Sequence, residues 1–440
     1  MAATPFDAAL YADLFGDAEI AALFTDAAEI RAMLQVEAAL SRVQGDLGLI
    51  PAQSAAVLFE AGQHARIDPA ALSASTGLNG IPVPGLVAAF RDAIPDPGHA
   101  AFAHWGATTQ DIMDTGLMLR LQQVTTVLQA RLATLTGALG ALAALHATTP
   151  MVARTWGQAA TPTSFGAVVA SWGQPQIRNL ARLDALKPRL LVVSLGGASG
   201  TLSVMEGKGA LLRAGMAEAL GLGDPGSVWH TARDGVAEFA GWMVLVAGSL
   251  GKLGEDLILL ADAEVNLGAA GGSSTMPQKQ NPVGPSVIVA LARHLVALNG
   301  GVQSALLHRQ QRDAAAWMLE WLALPQMCIG LGRALSIAGD LVRTIRPDTG
   351  AMRAAVEADL GLVHAEALTF ALARAMPRAA AAAAVKDLCA EARRSGTPLP
   401  ALAASRYPGT PLPDFAPEAQ MGEAPAEALA FARAAAAIRS

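Results

Sequence analysis

Cysteine is nearly absent: only Cys328 and Cys389 occur in 440 residues, with no CxxC spacing. That excludes a disulfide scaffold and a thiolate metal site, and fits a reduced, cytoplasmic setting. Charge is also scarce, at 15% of residues with a formal sum of −6. Nucleic acid requires a basic face, so it is excluded as a partner. Any anionic ligand must find its positive charge locally. The first residues hold Pro5, Asp7 and Asp13 without a basic stretch or an apolar centre, so no secretory signal is expected. The uncharged apolar run Phe239 to Gly251 of the central region is shorter than the roughly 18–20 residues of a membrane span. A soluble protein with no membrane partner is the expectation. Alternating β-branched patterns are nearly missing, Leu190–Ser194 being the best strand candidate.

What the chain has in plenty is apolar surface, at 52% hydrophobic residues. A single core stops growing at roughly 250–300 residues, so two or three domains are expected, with burial between subunits as an outlet for the surplus. Leu117, Leu121, Val124, Leu128, Leu132, Leu135, Leu139 and Leu142 recur at steps of three and four, as do Phe239, Trp242, Met243, Val246, Leu250, Leu253, Leu257 and Leu260. Each stripe marks one buried face of a helix of about 25–30 residues. The spacing predicts an all-α fold built on a bundle of long helices. Pro82, Pro84, Pro95 and Pro97, and later Arg346-Pro347-Asp348, punctuate the pattern. They suggest an N-terminal helical domain over 1–105, a central bundle over 106–350 and a small C-terminal helical domain over 351–440. The stretch from Thr397 to Pro425, rich in Pro and Ala, is expected to be irregular.

Four polar segments interrupt the apolar helices. In Gly271-Gly272-Ser273-Ser274-Thr275-Met276-Pro277-Gln278-Lys279-Gln280-Asn281-Pro282, glycines permit unusual backbone angles. Hydroxyls, an amine and an amide follow at close spacing. Such a loop can hold a weak base beside donors aimed at an anion, as chemistry next to a carboxylate needs; the same residues also make an ordinary polar turn. His104-Trp105-Gly106-Ala107-Thr108-Thr109-Gln110-Asp111 precedes the first long helix. Its Thr pair could cap that helix or present donors to an anion. Arg154-Thr155-Trp156-Gly157-Gln158-Ala159-Ala160-Thr161-Pro162 offers a guanidinium and an amide ahead of a helix, and Trp229-His230-Thr231-Ala232-Arg233-Asp234 opens the second long helix, with an internal Arg–Asp pair as its plain reading. Gly221-Leu222-Gly223-Asp224-Pro225-Gly226 fits a dinucleotide fingerprint, but it contains a proline and follows no strand. Gly196-Gly197-Ala198-Ser199-Gly200-Thr201 lacks the lysine of a phosphate loop and reads as a close-packed turn. His99 and His104 have no carboxylate at metal-ligand spacing.

Taken together these segments resemble the fumarase/aspartase superfamily, whose signature loop GSSxMPxKxNP is matched by Gly272–Pro282 at every fixed position. The resemblance runs from about residue 35 to 325. Within it, His104–Thr108 with Gln110-Asp111, Arg154-Thr155-Trp156, and Trp229–Asp234 running into Ala237–Trp242 are similar to the branch of the 3-carboxy-cis,cis-muconate cycloisomerases. Adenylosuccinate and argininosuccinate lyases carry a histidine where Trp156 stands. Expelling an amine requires acid assistance, whereas a lactone's leaving group is a carboxylate of reference pKa near 4 and needs none. Two departures stand out. Thr109 replaces a common serine, and Gln278 and Gln280 stand where those cycloisomerases often have His and Arg, which bears on the carboxylate pattern of the substrate.

The resemblance implies an all-α subunit of three helical domains that assembles through a multi-subunit helical core into a homotetramer with composite sites. It implies a small di- or tricarboxylate substrate and no cofactor. Its chemistry would be intramolecular addition of a carboxylate to a conjugated double bond. Ser273 is implied as the general acid/base with Ser274 as its neighbour, and Lys279 stabilises the charge that develops. His104, Thr108, Thr109, Gln110, Arg154, Trp156, Gln158, Arg233, Met276 and Asn281 are implied to bind substrate. The competing readings are a fumarate-releasing lyase of the adenylosuccinate or argininosuccinate type and a non-catalytic helical oligomer.

Overall fold

The computed structural model describes residues 4–268, 271–272, 275–276 and 279–438. Among them the chain is helical, and its sheets are three two-stranded pairs. The helices that matter for the site are α1 (Asp26–Asp46), α2 (Thr109–Leu145), α3 (Phe165–Leu190), α4 (Asp234–Leu260), α5 (Val283–Ser304) and α6 (Ala314–Thr344). Thr25 caps α1: its hydroxyl accepts from the Ala28 N–H at 3.2 Å. Asp26 and Glu29 stand in the first turn, where the helix dipole favours acids. Both leucine-rich stripes are buried faces. Leu121, Val124, Leu128, Leu132, Leu135 and Leu139 on α2 are at most 1% exposed. On α4 every stripe residue from Phe239 to Leu260 is buried. At 37 residues α2 outruns the expected length, because nothing before Leu145 breaks it.

Contacts divide the chain into two compact units, each built from three separate stretches. The first comprises residues 1–130, 179–248 and 290–335; the second comprises 131–178, 249–289 and 336–440. The core of the first gathers Leu34 and Leu40 of α1, Leu58, Leu86, Phe90, Ile112, Met205, Leu212 and Trp317. In the second, Leu368, Leu372, Ala381, Val385, Leu388 and Leu399 form a small core of their own.

Three expectations are corrected. The strand candidate is misplaced: α3 runs to Leu190 and the next residues make only a single bridge, Val192 to Gly223. The hairpin is instead β1 (Pro150–Thr155) with β2 (Gln158–Ser164), a segment whose prolines and alanines carry no strand signal. The proline-rich tail contains the helix Leu399–Arg406, which buries Leu399 and Ala403. Finally, α2, α5 and α6 each hold an 18-residue window of mean hydropathy 1.3, 1.3 and 1.2 that meets the length and composition of a membrane span. A count of strictly uncharged runs passes over such windows. Only 39%, 39% and 50% of them is buried within the chain.

Candidate active site

The Thr108–Asp111 segment forms the start of α2, and Asp111 organises it. This carboxylate has no exposed surface. It accepts from the N–H groups of Thr108 (2.9 Å), Gly196 (2.8 Å) and Gly197 (2.9 Å) and from Nε2 of His230 (2.7 Å). Four donors, one from its own turn and three from two distant segments, saturate its lone pairs, so Asp111 is a knot rather than a ligand. Glycine is required at 196 because a Cβ there would come within 2.9 Å of His230 Cε1. Thr108 and Thr109 remain half-buried at the positive end of the helix. Gln110 is buried: its amide donates to Asp114 and to the His230 carbonyl and accepts from Arg312 Nε at 3.0 Å.

Arg233 is 2% exposed and stacks over the Trp229 ring at 4.7 Å. Its fork donates to Asp114 (2.6 and 3.1 Å) and its Nε to Glu320 (2.8 Å). Burial opposes its charge, but the two carboxylates outweigh that and hold its pKa above the usual arginine value. Burial pushes Glu320 upward despite Arg233. The expected partner Asp234 plays no part in this clamp. Four of the five N–H groups of Arg233 are taken by these two carboxylates, and both N–H groups of the Gln110 amide are bonded within the protein. A cavity of about 590 Å³ is lined by Asp114, Glu320, Arg120, Phe24, Met33 and Trp321, and by none of His104, Thr108 and Thr109.

In the second unit, Arg154, Trp156 and Gln158 sit at the tip of the β1–β2 hairpin. Thr155 pairs with Gln158, leaving a two-residue turn with Trp156 at φ 54 and Gly157 at φ 71. Positive φ at both central residues is the turn that matches strand twist, and tryptophan is an unusual residue to hold there. Trp156 is 100% exposed. Arg154 pairs with Glu264 and donates to its Oε2 at 3.4 Å, so this guanidinium also has a carboxylate of the chain. The signature loop is closed at its base by the pairs Gly271–Asn281 and Gly272–Gln280. A Cβ on Gly271 would meet Val283 Cγ2 at 2.6 Å. The Lys279 N–H donates to the Met276 carbonyl at 3.0 Å, and Met276 and Lys279 are both exposed. Ser273, Ser274, Pro277 and Gln278 lie outside the described residues.

The fold and these segments coincide with a known group. A family profile described as lyase matches residues 31–296. The chain belongs to the lyase family. This lyase is 38% identical to the 3-carboxy-cis,cis-muconate cycloisomerase of Pseudomonas aeruginosa over 391 residues, covering 87% of this chain and 85% of that one. It is 34% identical to the cycloisomerase of the same name from Acinetobacter baylyi, covering 86% of each chain. The crystal structure of 3-carboxy-cis,cis-muconate lactonizing enzyme from Pseudomonas putida superposes with a TM-score of 0.91 at 34% identity, over 97% of this lyase and 98% of that chain. The resemblance to the cycloisomerase branch is thus borne out along most of the chain.

Several residues that hold the candidate site residues in place carry no motif in the sequence. Glu37, Glu264, Arg312 and Glu320 stand in helical or loop stretches with no local signal, and the Gly196–Gly197 turn, which reads as close-packed and near the site, binds Asp111. Helical period betrays only Asp114, which stands one turn beyond Gln110.

Proposed function

We propose that this lyase is a cycloisomerase that converts 3-carboxy-cis,cis-muconate to 4-carboxymuconolactone in the catabolism of aromatic compounds. The observation that carries the reading is the similarity along most of the chain to cycloisomerases, combined with Trp156 at the tip of an exposed hairpin where amine-expelling lyases place a histidine. One substrate carboxylate adds across the conjugated double bond, and a proton is delivered at the carbon next to another carboxylate. Ser273 transfers that proton, with Ser274 beside it. Lys279 and Asn281 stabilise the aci-carboxylate; one well-placed donor contributes about 3–4 kcal/mol in such a role. Thr108 and Thr109 receive a carboxylate at the start of α2, and Gln158, Arg154, Trp156 and Met276 complete the binding surface.

The site residues stand in both units, and the lyase works as a homotetramer in which different copies contribute them. The exposed Trp156 and the half-covered apolar lengths of α2, α5 and α6 supply the surface for that assembly. A cytoplasmic setting suits its two free cysteines. The test is product analysis after reaction in deuterated water. The expected product is the lactone carrying one deuterium at the carbon next to a carboxylate. Fumarate released from adenylosuccinate or argininosuccinate, with the diene untouched, would replace this reading by the lyase one.

A further inference from the structure

The proposed substrate is a polyanion, while the chain carries a formal charge of −6. Two arginines that the sequence offered as its counter-charges have carboxylate partners within the protein: Arg233 has Asp114 and Glu320, and Arg154 has Glu264. A different ionisable group stands four residues before Thr108. His104 is held at φ 63, a conformation that side chains rarely adopt unless their surroundings impose it. Its Nδ1 donates to Oε1 of Glu37 at 2.6 Å. Glu37 lies on α1 and has no exposed surface, while the His104 side chain is 18% exposed. The Nε2 atom of His104 has no hydrogen-bond partner among the described residues, and it is not among the buried atoms left without one.

Glu37 shares its helix face with Ser41 and Gln44, both fully buried. Its Oε2, the Ser41 hydroxyl and the side-chain amide oxygen of Gln44 have no hydrogen-bond partner among the described residues. An ionised carboxylate in such a place is costly without a cation beside it, and the ion pair recorded for Glu37 is with His104. The pair therefore fixes both the ring's orientation and its charge.

We infer that Glu37 is a positioning residue that keeps His104 as an imidazolium, with Nε2–H presented to a substrate carboxylate at the Thr108–Thr109 end of α2. The assignment of a carboxylate substrate rests on the cycloisomerase reading; the dyad itself does not. The charged groups that act on His104 are Glu37 from α1, Asp111 from α2 and Arg91 from the Val83–Asp92 helix. Burial, the largest effect, works against the charge, and so does Arg91. Glu37, joined by Asp111, overcomes both, so the His104 pKa lies above the ordinary 6.5. The sign follows: binding that depends on the imidazolium is fully present below the ordinary histidine value and is lost as pH rises through the raised one.

The experiment follows kcat/KM for 3-carboxy-cis,cis-muconate from about pH 5 to about pH 9, spanning the ordinary imidazole value, in the wild type, Glu37→Gln and His104→Asn. The wild type is expected to lose kcat/KM on an alkaline limb. Glu37→Gln should show that limb at lower pH, with a small deficit in acid and about a tenfold deficit in mild base, since each unit of pKa is a factor of ten. His104→Asn should lack the limb. A pH-independent loss in Glu37→Gln, or a limb that survives in His104→Asn, would overturn the inference. A second measurement, the imidazole ¹³C titration of His104 in the ligand-free wild-type protein, requires no variant to fold. A midpoint above that of a free imidazole supports the dyad, and one at or below it overturns the dyad. Wild type that leaves the diene untouched would refute the substrate assignment, and the titration would still decide the dyad.

Discussion

Asp111 and Asp114 stand three residues apart on the first turns of α2 and do different work. Asp111 gathers backbone donors and His230 into one knot, while Asp114 balances Arg233 together with Glu320. Removing Asp114 leaves Arg233 paired with Glu320 but strips the buried Gln110 amide and Trp317 indole N–H of an acceptor, at a cost of about 1–3 kcal/mol for such a buried donor. Asp114→Ala should therefore lower the urea midpoint of unfolding; an unchanged midpoint would mean that these donors are not held by Asp114 in the folded protein. Ser273→Ala belongs to the other class of residue. It should lower turnover by about 10²–10⁴-fold, the usual contribution of a proton-transferring side chain, with the melting temperature unchanged. Turnover within a few-fold of wild type would remove Ser273 from the mechanism. The motif residues were legible one by one because each segment carries its own chemistry. Their partners Glu37, Glu264 and Glu320 were not, since a lone carboxylate in a helix looks the same whether it faces solvent or a buried arginine.

Among the elements, periodicity served the long helices well. The stripes on α2 and α4 predicted buried faces, and those faces are buried. The β1–β2 hairpin was not legible, because its strands lack alternation and are set by a two-residue turn. That turn depends on Gly157 at φ 71, with open space around its Cβ position. Gly157→Val should thus strain the backbone without a clash, at about 1–2 kcal/mol. If the hairpin tip is part of the site, this variant should lose kcat/KM by more than its small fall in melting temperature accounts for. Full activity in Gly157→Val would detach the tip from the reaction.

For the whole molecule, the chain's apolar content and its low charge are two views of one property. Windows of α2, α5 and α6 apolar enough for a membrane span are at most half covered by their own chain. Covering them with further copies satisfies the hydrophobic effect as fully as lipid would. Light scattering should give four times the 45.0 kDa chain mass. A fully active monomer would contradict composite sites. The proline punctuation near 105 and 350 marks where helices stop, whereas contacts group the chain into two interleaved units. The single helix α2 contributes residues to both.

The most direct measurement is to mix purified protein with 3-carboxy-cis,cis-muconate and follow the ultraviolet absorbance of the conjugated diene. Catalytic loss of absorbance, with the lactone as product, is the predicted result. An unchanged spectrum at high enzyme concentration would contradict the proposed function and would direct attention to succinyl adducts and to Gln278 and Gln280.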